Sequence, residues 1–223
     1  MWCIIVRTPR WTLHFFSVRQ LQTEQTHRRE AMLSIILLRH GKTQGNLANR
    51  YNGRTDEPLC AEGVAEAQSA AHYPDIPLVY ASPMQRAQQT AKIFFPHAVI
   101  ETVDDLREMD FGDFEGRTAE EMEHDPAYRA WVAGGCVDVC PNGEGIPEFA
   151  KRAATAFAGC VSDAISRGES RIGVAVHGGV IMSVMHAFSS SDQPYHTWYV
   201  QNCGGYEITI DETAWAKARR FSD

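Results

Sequence analysis

The chain has 223 residues, 44% of them hydrophobic and 22% charged, with 21 Lys/Arg against 28 Asp/Glu and a net charge of −7. That size suits one sizeable globular domain, or a domain with a short appendage. The acidic balance argues against broad binding to nucleic-acid phosphates, and no apolar run approaches the roughly 20 residues of a membrane-spanning helix.

In chain order, residues 1–31 come first, with five Lys/Arg and two Asp/Glu. Arg7, Pro9 and Arg10 break their apolar stretches, so the continuous apolar core of a signal peptide is absent. No periodicity joins this segment to the later pattern, whereas Met32 stands directly before a clean strand pattern. We expect the folded domain to occupy residues 32–223, with 1–31 a disordered arm or a start-site artefact.

From Met32 onward short apolar runs alternate with helical windows. That is the pattern of an α/β three-layer sandwich, a mostly parallel central sheet flanked by helices. Strands are predicted at Ser34–Arg39, Pro77–Ser82, Ala98–Val103, Arg171–His177 and Tyr206–Ile210. Helices are predicted over the alanine-rich Glu62–His72, then from Ser82 as N-cap with Pro83 at the first helical position, then over Phe149–Arg167. Thr118–Glu121 has the spacing of a capping box, and "HGGVIMSVMHAF" opens a helix straight after a strand. Met182, Met185 and Phe188, at helical spacing behind His177, read as core, and Asn202 and Cys203, before a glycine pair near the last strand, as a structural turn in preference to a pocket contact. Six scattered cysteines form no C-x-x-C pair and no zinc-ligand spacing, which suggests reduced thiols in a cytoplasmic protein. Cys136 and Cys140 share a loop where an oxidising compartment would let them pair.

In open α/β sheets ligands sit at the carboxyl ends of the strands. Three predicted strand ends deliver Arg39-His40-Gly41, Ser82 to Arg86, and His177-Gly178 to what is expected to be one cleft. Two guanidinium forks match phosphate oxygens, glycine amides at Gly41 and Gly178 allow close approach, and the helix after Gly178 adds its positive end. Neighbouring Arg39 and Arg86 favour a neutral imidazole, so His40 is a candidate nucleophile toward phosphorus, with a protonated His177 helping to hold the equatorial oxygens. The proton donor for a leaving alkoxide is expected in "DDLREMDFGDFEG", where Glu108 competes with Glu115 and Asp110 in what is otherwise an acidic solvated face.

The ordered blocks "LLRHGKTQGN", "YNGRTDEPLCAEGVAEAQ", "ASPMQRAQQTA", "LREMDFGDFEG", "PNGEG" and "VAVHGGVI" resemble the successive motifs of the histidine phosphatase superfamily, in its phosphoglycerate mutase-like branch, from about Ser34 to Ile210. The resemblance implies a phosphoglycerate mutase-like fold and a phosphohistidine on His40. Arg39, Arg86 and His177 match phosphate-pocket residues, and Glu108 matches the proton donor. Asn46 matches the asparagine that helps hold the phosphoryl group, while Thr43, Asn52, Gly53 and Gly178 match positions that line the substrate pocket. Neither a metal nor another cofactor is implied. Lys42 stands where Glu is common and Gly145 where Ser is common, both peripheral to the phosphoryl chemistry.

The segment from Asp110 to Ile146, expected to fold over the pocket, has only Arg117 and Arg129 as basic residues. A phosphoglycerate, anionic at both ends, calls for more. Hydrolysis of a small-molecule phosphomonoester is therefore favoured over a phosphoglycerate mutase reaction. Phe111, Phe114, Trp131 and Val132 would suit a bulky, partly apolar leaving group such as α-ribazole 5′-phosphate, with a sugar phosphate as the other small ester. A catalytically silent phosphate-binding module is the reading from a different class.

Overall fold

A computed structural model of the chain describes residues 32–221. Residues 1–31, and the expectation that they form an arm or an artefact, lie outside the described residues. Five strands, β1 (Met32–Arg39), β2 (Leu78–Ala81), β3 (Val99–Thr102), β4 (Arg171–Val176) and β5 (Gly205–Asp211), form one sheet in the order β3-β2-β4-β1-β5. The first four are parallel; β5 closes the edge antiparallel to β1.

Alternation within each strand sorts side chains onto two faces. Leu33, Ile35 and Leu37 of β1, Leu78 and Tyr80 of β2, and Ile172, Val174 and Val176 of β4 enter one core. That core is covered by α5 (Ile146–Ser166), α6 (Gly178–Phe188) and α7 (Glu212–Ala218). Ile36, Leu38, Val79, Ala81 and Ala175 enter the other, under α2 (Ala61–Ser69) and α3 (Gln85–Phe94). Two apolar faces therefore make three layers, as expected. On the first face Phe157 of α5 is fully buried, and truncating such a phenyl ring costs about 3–5 kcal/mol.

Several boundaries differ from expectation for local reasons. The helix expected from Ser82 begins at Gln85, after an extended Met84 without a side-chain cap, because Ser82 is turned inward. The long helix starts three residues early, at Ile146, where Pro147 suits the first turn. Thr118 and Glu121 do make the reciprocal bonds of a capping box, but only turns come after them. The next helix, α4 (Pro126–Ala133), is capped instead by Asp125, whose carboxylate accepts from the amides of Ala127 and Tyr128. A one-turn helix, α1 (Gln44–Leu47), closed by a Thr43–Asn46 capping box, is also present. Cys60, Cys136, Cys140, Cys160 and Cys203 are free thiols. Among the described residues no helix is long and apolar enough to cross a membrane.

Candidate active site

Strand register brings the candidate residues together. In the β1–β4 ladder Arg39 lies opposite Val176, and in the β2–β4 ladder Ala81 lies opposite Ala175. The next residues along, His40 level with His177 and Ser82 one residue short of it, therefore cluster at the carboxyl ends of three adjacent strands. Backbone bonds from His40 N to Val176 O (2.9 Å) and from Ser82 N to Ala175 O (3.1 Å) extend the ladders to that cluster.

The two imidazoles are buried, with ring centroids 5.1 Å apart and planes inclined at 63°. His40 Nδ1 lies 2.7 Å from the carbonyl oxygen of Gly41, which can only accept. The proton is therefore on Nδ1, and Nε2 carries the free lone pair. Burial first, then the charges of Arg86 and Arg39, hold the His40 pKa well below the usual imidazole value. His177 is pushed well down as well, by burial, then Arg86, His40 and Arg39. That direction runs against the protonated His177 expected from the sequence.

Arg86, fully buried, is held by carbonyls of the preceding loop: Nη1 donates to Thr55 O at 2.7 Å, and Nη2 to Gly53 O at 2.7 Å and Asn52 O at 3.4 Å. Its Nε donates to His177 Nδ1 at 3.3 Å. Arg39 donates from Nη1 to Val200 O at 2.7 Å and lies over the Tyr199 ring. Its Nε is buried with no partner among the described residues, an unsatisfied donor of the kind that native proteins seldom leave.

The three competing carboxylates separate clearly. Glu115 accepts from the amides of Gly53, Arg54, Thr55 and Phe111 and from the Thr55 hydroxyl, at 2.8 to 3.3 Å. It shapes the loop that holds Arg86. Asp110 accepts from Gly112 N and sits 3.7 Å from Arg54. Glu108 accepts from the amides of Met109 and Gly179, each at 3.0 Å, and lines a cavity together with Arg39, Gly178 and Gly179. Its charge also acts on Arg86 more strongly than that of any other carboxylate. Arg152 fixes the Glu108 segment by donating to the carbonyls of Asp105, Arg107 and Glu108 while paired with Glu144.

The cavity, about 260 Å³, has walls of Phe111, Trp131, Phe149, Met182, Tyr195 and Tyr199. Of the five positions expected around the substrate, Gly178 lines it, and a Cβ there would sit 3.4 Å from the Arg39 guanidinium carbon. Thr43, Asn46, Asn52 and Gly53 do not line this cavity. Thr43 is buried, and its hydroxyl accepts from Asn46 N and Asn52 Nδ2. Asn46 Oδ1 accepts from Thr43 N and Asn202 Nδ2. Gly53 must lack a side chain, since a Cβ would fall 1.8 Å from Met109 O. Phe114, expected over the pocket, is buried in the core and Val132 faces outward, whereas Met182, expected in the core, reaches the cavity.

Thr90 escapes the sequence reading, whereas Ser82 reads there as a helix cap at a strand end and Asn202 as a structural turn. Thr90 Oγ1 accepts from Gly41 N at 2.9 Å and donates to Arg86 O at 2.7 Å, so the Gly41 amide is not free for an anion as expected. Asn202 Nδ2 donates to His40 O at 2.9 Å. Ser82 Oγ lies 2.8 Å from His177 Nε2; its place directly after a strand aligned with the other two was the available signal.

A family model described as "Histidine phosphatase superfamily (branch 1)" matches residues 35–222. The chain is 34% identical over 127 residues to the adenosylcobalamin/α-ribazole phosphatase of Escherichia coli (strain K12), covering 54% of this chain and 63% of that protein. It is 34% identical over 137 residues to the "Probable phosphoglycerate mutase GpmB" of Enterobacter sp. (strain 638), covering 58% of this chain and 64% of that protein. Both alignments span less than two thirds of the relative. The solved structure of the α-ribazole phosphatase from Shigella flexneri superposes with a TM-score of 0.70 at 27% identity, covering 81% of this chain and 92% of that one.

Proposed function

The chain belongs to the histidine phosphatase superfamily, and from that premise we propose that it hydrolyses small-molecule phosphomonoesters through a phosphohistidine on His40. The observation that carries the reading is the His40 ring itself: buried, neutral, its Nδ1 proton tied to Gly41 O, its Nε2 lone pair free beside two guanidinium groups. Nε2 attacks phosphorus as the P–O bond to the alcohol breaks, and Glu108, entering this step as the carboxylic acid, delivers its proton to the departing oxygen. Arg39, through its unpartnered Nε, and Arg86 draw off charge from the equatorial oxygens, with the amide of Gly178 at the start of α6 and the Asn46 amide group assisting. Glu108, now a carboxylate, takes a proton from water, which attacks phosphorus and frees His40 and inorganic phosphate. Neutral His177 contributes as a fixed dipole.

Hydrolysis is favoured over phosphoglycerate mutation because Arg39 is, among the described residues, the one lysine or arginine lining the cavity, whose walls are otherwise largely aromatic and aliphatic. A second anionic group on the alcohol would meet no lysine and no second arginine there, and His196 is, among the described residues, the one other basic side chain on the wall. α-Ribazole 5′-phosphate, the ester of a neutral nucleoside-like alcohol, suits these walls better than a sugar phosphate. Turnover of an aryl phosphate between pH 5 and 8, with its loss in His40→Ala by at least about 10³-fold and capture of an acid-labile phosphoprotein in the wild type, is the expected outcome. Undiminished hydrolysis in His40→Ala refutes the mechanism. No turnover of any ester by the wild type would leave the silent phosphate-binding module.

A further inference from the structure

Ser82 occupies the position of a helix cap but does not act as one: α3 starts three residues later, at Gln85, and the bond that the Ser82 hydroxyl accepts from the approach to that helix is a long one, Met84 N to Oγ at 3.4 Å. The side chain is completely buried. Its backbone is fixed on both sides, by Ser82 N to Ala175 O and by Gln88 Nε2 to Ser82 O at 2.8 Å. A buried hydroxyl so rigidly placed needs a partner, and the partner is His177 Nε2 at 2.8 Å.

The proton assignment at His177 is fixed by its other nitrogen. Arg86 Nε can only donate, so Nδ1 must be the acceptor, and in a neutral ring the single proton is then on Nε2, directed at Ser82 Oγ. Both ring nitrogens are engaged, and the ring has one tautomer and one orientation against His40. Removing the hydroxyl, as in Ser82→Ala, would leave a buried N–H without an acceptor and the ring free to turn about χ2.

We propose that Ser82 is a positioning residue that, with Arg86, locks His177 in its Nε2–H tautomer and fixes the ring beside His40. The proposal rests on the phosphohistidine reading for its catalytic consequence, but its structural half stands apart from it. The hydrogen bond made by one ring nitrogen of a histidine sets both the tautomer and the orientation in which the other is presented.

The test uses imidazole ¹⁵N–¹H correlation spectra and steady-state kinetics on p-nitrophenyl phosphate. Wild type is expected to show His177 as a single Nε2–H tautomer with a bare Nδ1. Ser82→Ala is expected to lose that single signature and to lower kcat by about 10- to 100-fold while KM changes less than about threefold, the pattern of a mispositioned group rather than lost substrate binding. Ser82→Thr, which keeps the hydroxyl, should restore the tautomer signal. A wild-type His177 carrying its proton on Nδ1 overturns the proposal whether or not Ser82→Ala folds. So does a folded Ser82→Ala with an unchanged signature and kcat. Hydrolysis that survives His40→Ala would instead refute the phosphohistidine reading and leave the tautomer measurement intact.

Discussion

His40 and His177 keep lone pairs by being buried beside arginines, and that arrangement has a thermodynamic consequence. Their folded pKa values lie well below the imidazole value of about 6.5 that the unfolded chain regains. Above pH 6.5 neither state binds the protons. Below it the unfolded chain takes up protons that the folded one refuses, so stability falls with pH, by up to about 1.4 kcal/mol per pH unit for each histidine. Urea unfolding at pH 7 and pH 5 should show this loss, and the doubly substituted His40→Asn/His177→Asn protein should show a shallower one; equal slopes would contradict the burial argument. The carboxylates separate by an analogous comparison. Glu108→Gln is expected to lower kcat by about 10²- to 10⁴-fold with a smaller loss of stability than Glu115→Gln, since Glu108 accepts from two backbone amides where Glu115 accepts from four. Glu115→Gln turns an acceptor into an NH₂ facing amide donors, and is expected to cost about 1–3 kcal/mol of stability. Thermal melts beside kinetics distinguish the two, and the reverse pattern would exchange their roles.

Elements are legible in the sequence where an apolar run ends at a polar residue, and this marks the strand ends. Arg39-His40, Ser82 and His177 mark points where the chain leaves a buried sheet, and parallel register aligned them. Helix starts were less legible: Ser82 has the chemistry of a cap, and only the tertiary demand of His177 overrides it. Thr90 carries no local signal, since it reaches Gly41, 49 residues away, through one side-chain bond, and Asn202 reaches back to His40 O and Asn46 Oδ1 from what reads locally as a turn. Lys42, read as a departure near the pocket, turns away to pair with Glu62 and Glu66 of α2. The same helix sits directly on the loop after His40. A Cβ on Gly63 would fall 2.1 Å from Lys42 O, while Cys60 N donates to that same carbonyl at 3.0 Å. Gly63→Ala must therefore displace backbone, and we expect about 1–3 kcal/mol of destabilisation together with a reduced kcat, because the Gly41–Thr43 turn moves with it. A variant with wild-type melting and turnover would mean that α2 is not seated on that turn as described.

At the scale of the whole molecule, the phosphoryl end and the alcohol end of the site have different origins. The first belongs to the sheet, and its charges were readable from motifs; the second is assembled from segments around residues 108–111, 131–149 and 178–199, and no single stretch announces it. This division explains why Phe111 and Trp131 were anticipated as walls while Met182, Phe149, Tyr195 and Tyr199 were not. It also sets what the molecule should discriminate. A carboxylate on the alcohol must lose water against these walls with no lysine or second arginine to meet, a penalty of about 2–3 kcal/mol, or roughly 30- to 150-fold. A naphthyl group loses nothing polar and covers aromatic surface. We therefore expect kcat/KM for 1-naphthyl phosphate to exceed that for 3-phosphoglycerate hydrolysis by about that ratio. Met182→Lys, placing an ammonium on the wall, should narrow the gap by raising the phosphoglycerate value while leaving His40 chemistry in place. Equal wild-type values for the two esters would show that the walls do not select, and the preference for a neutral alcohol would fall.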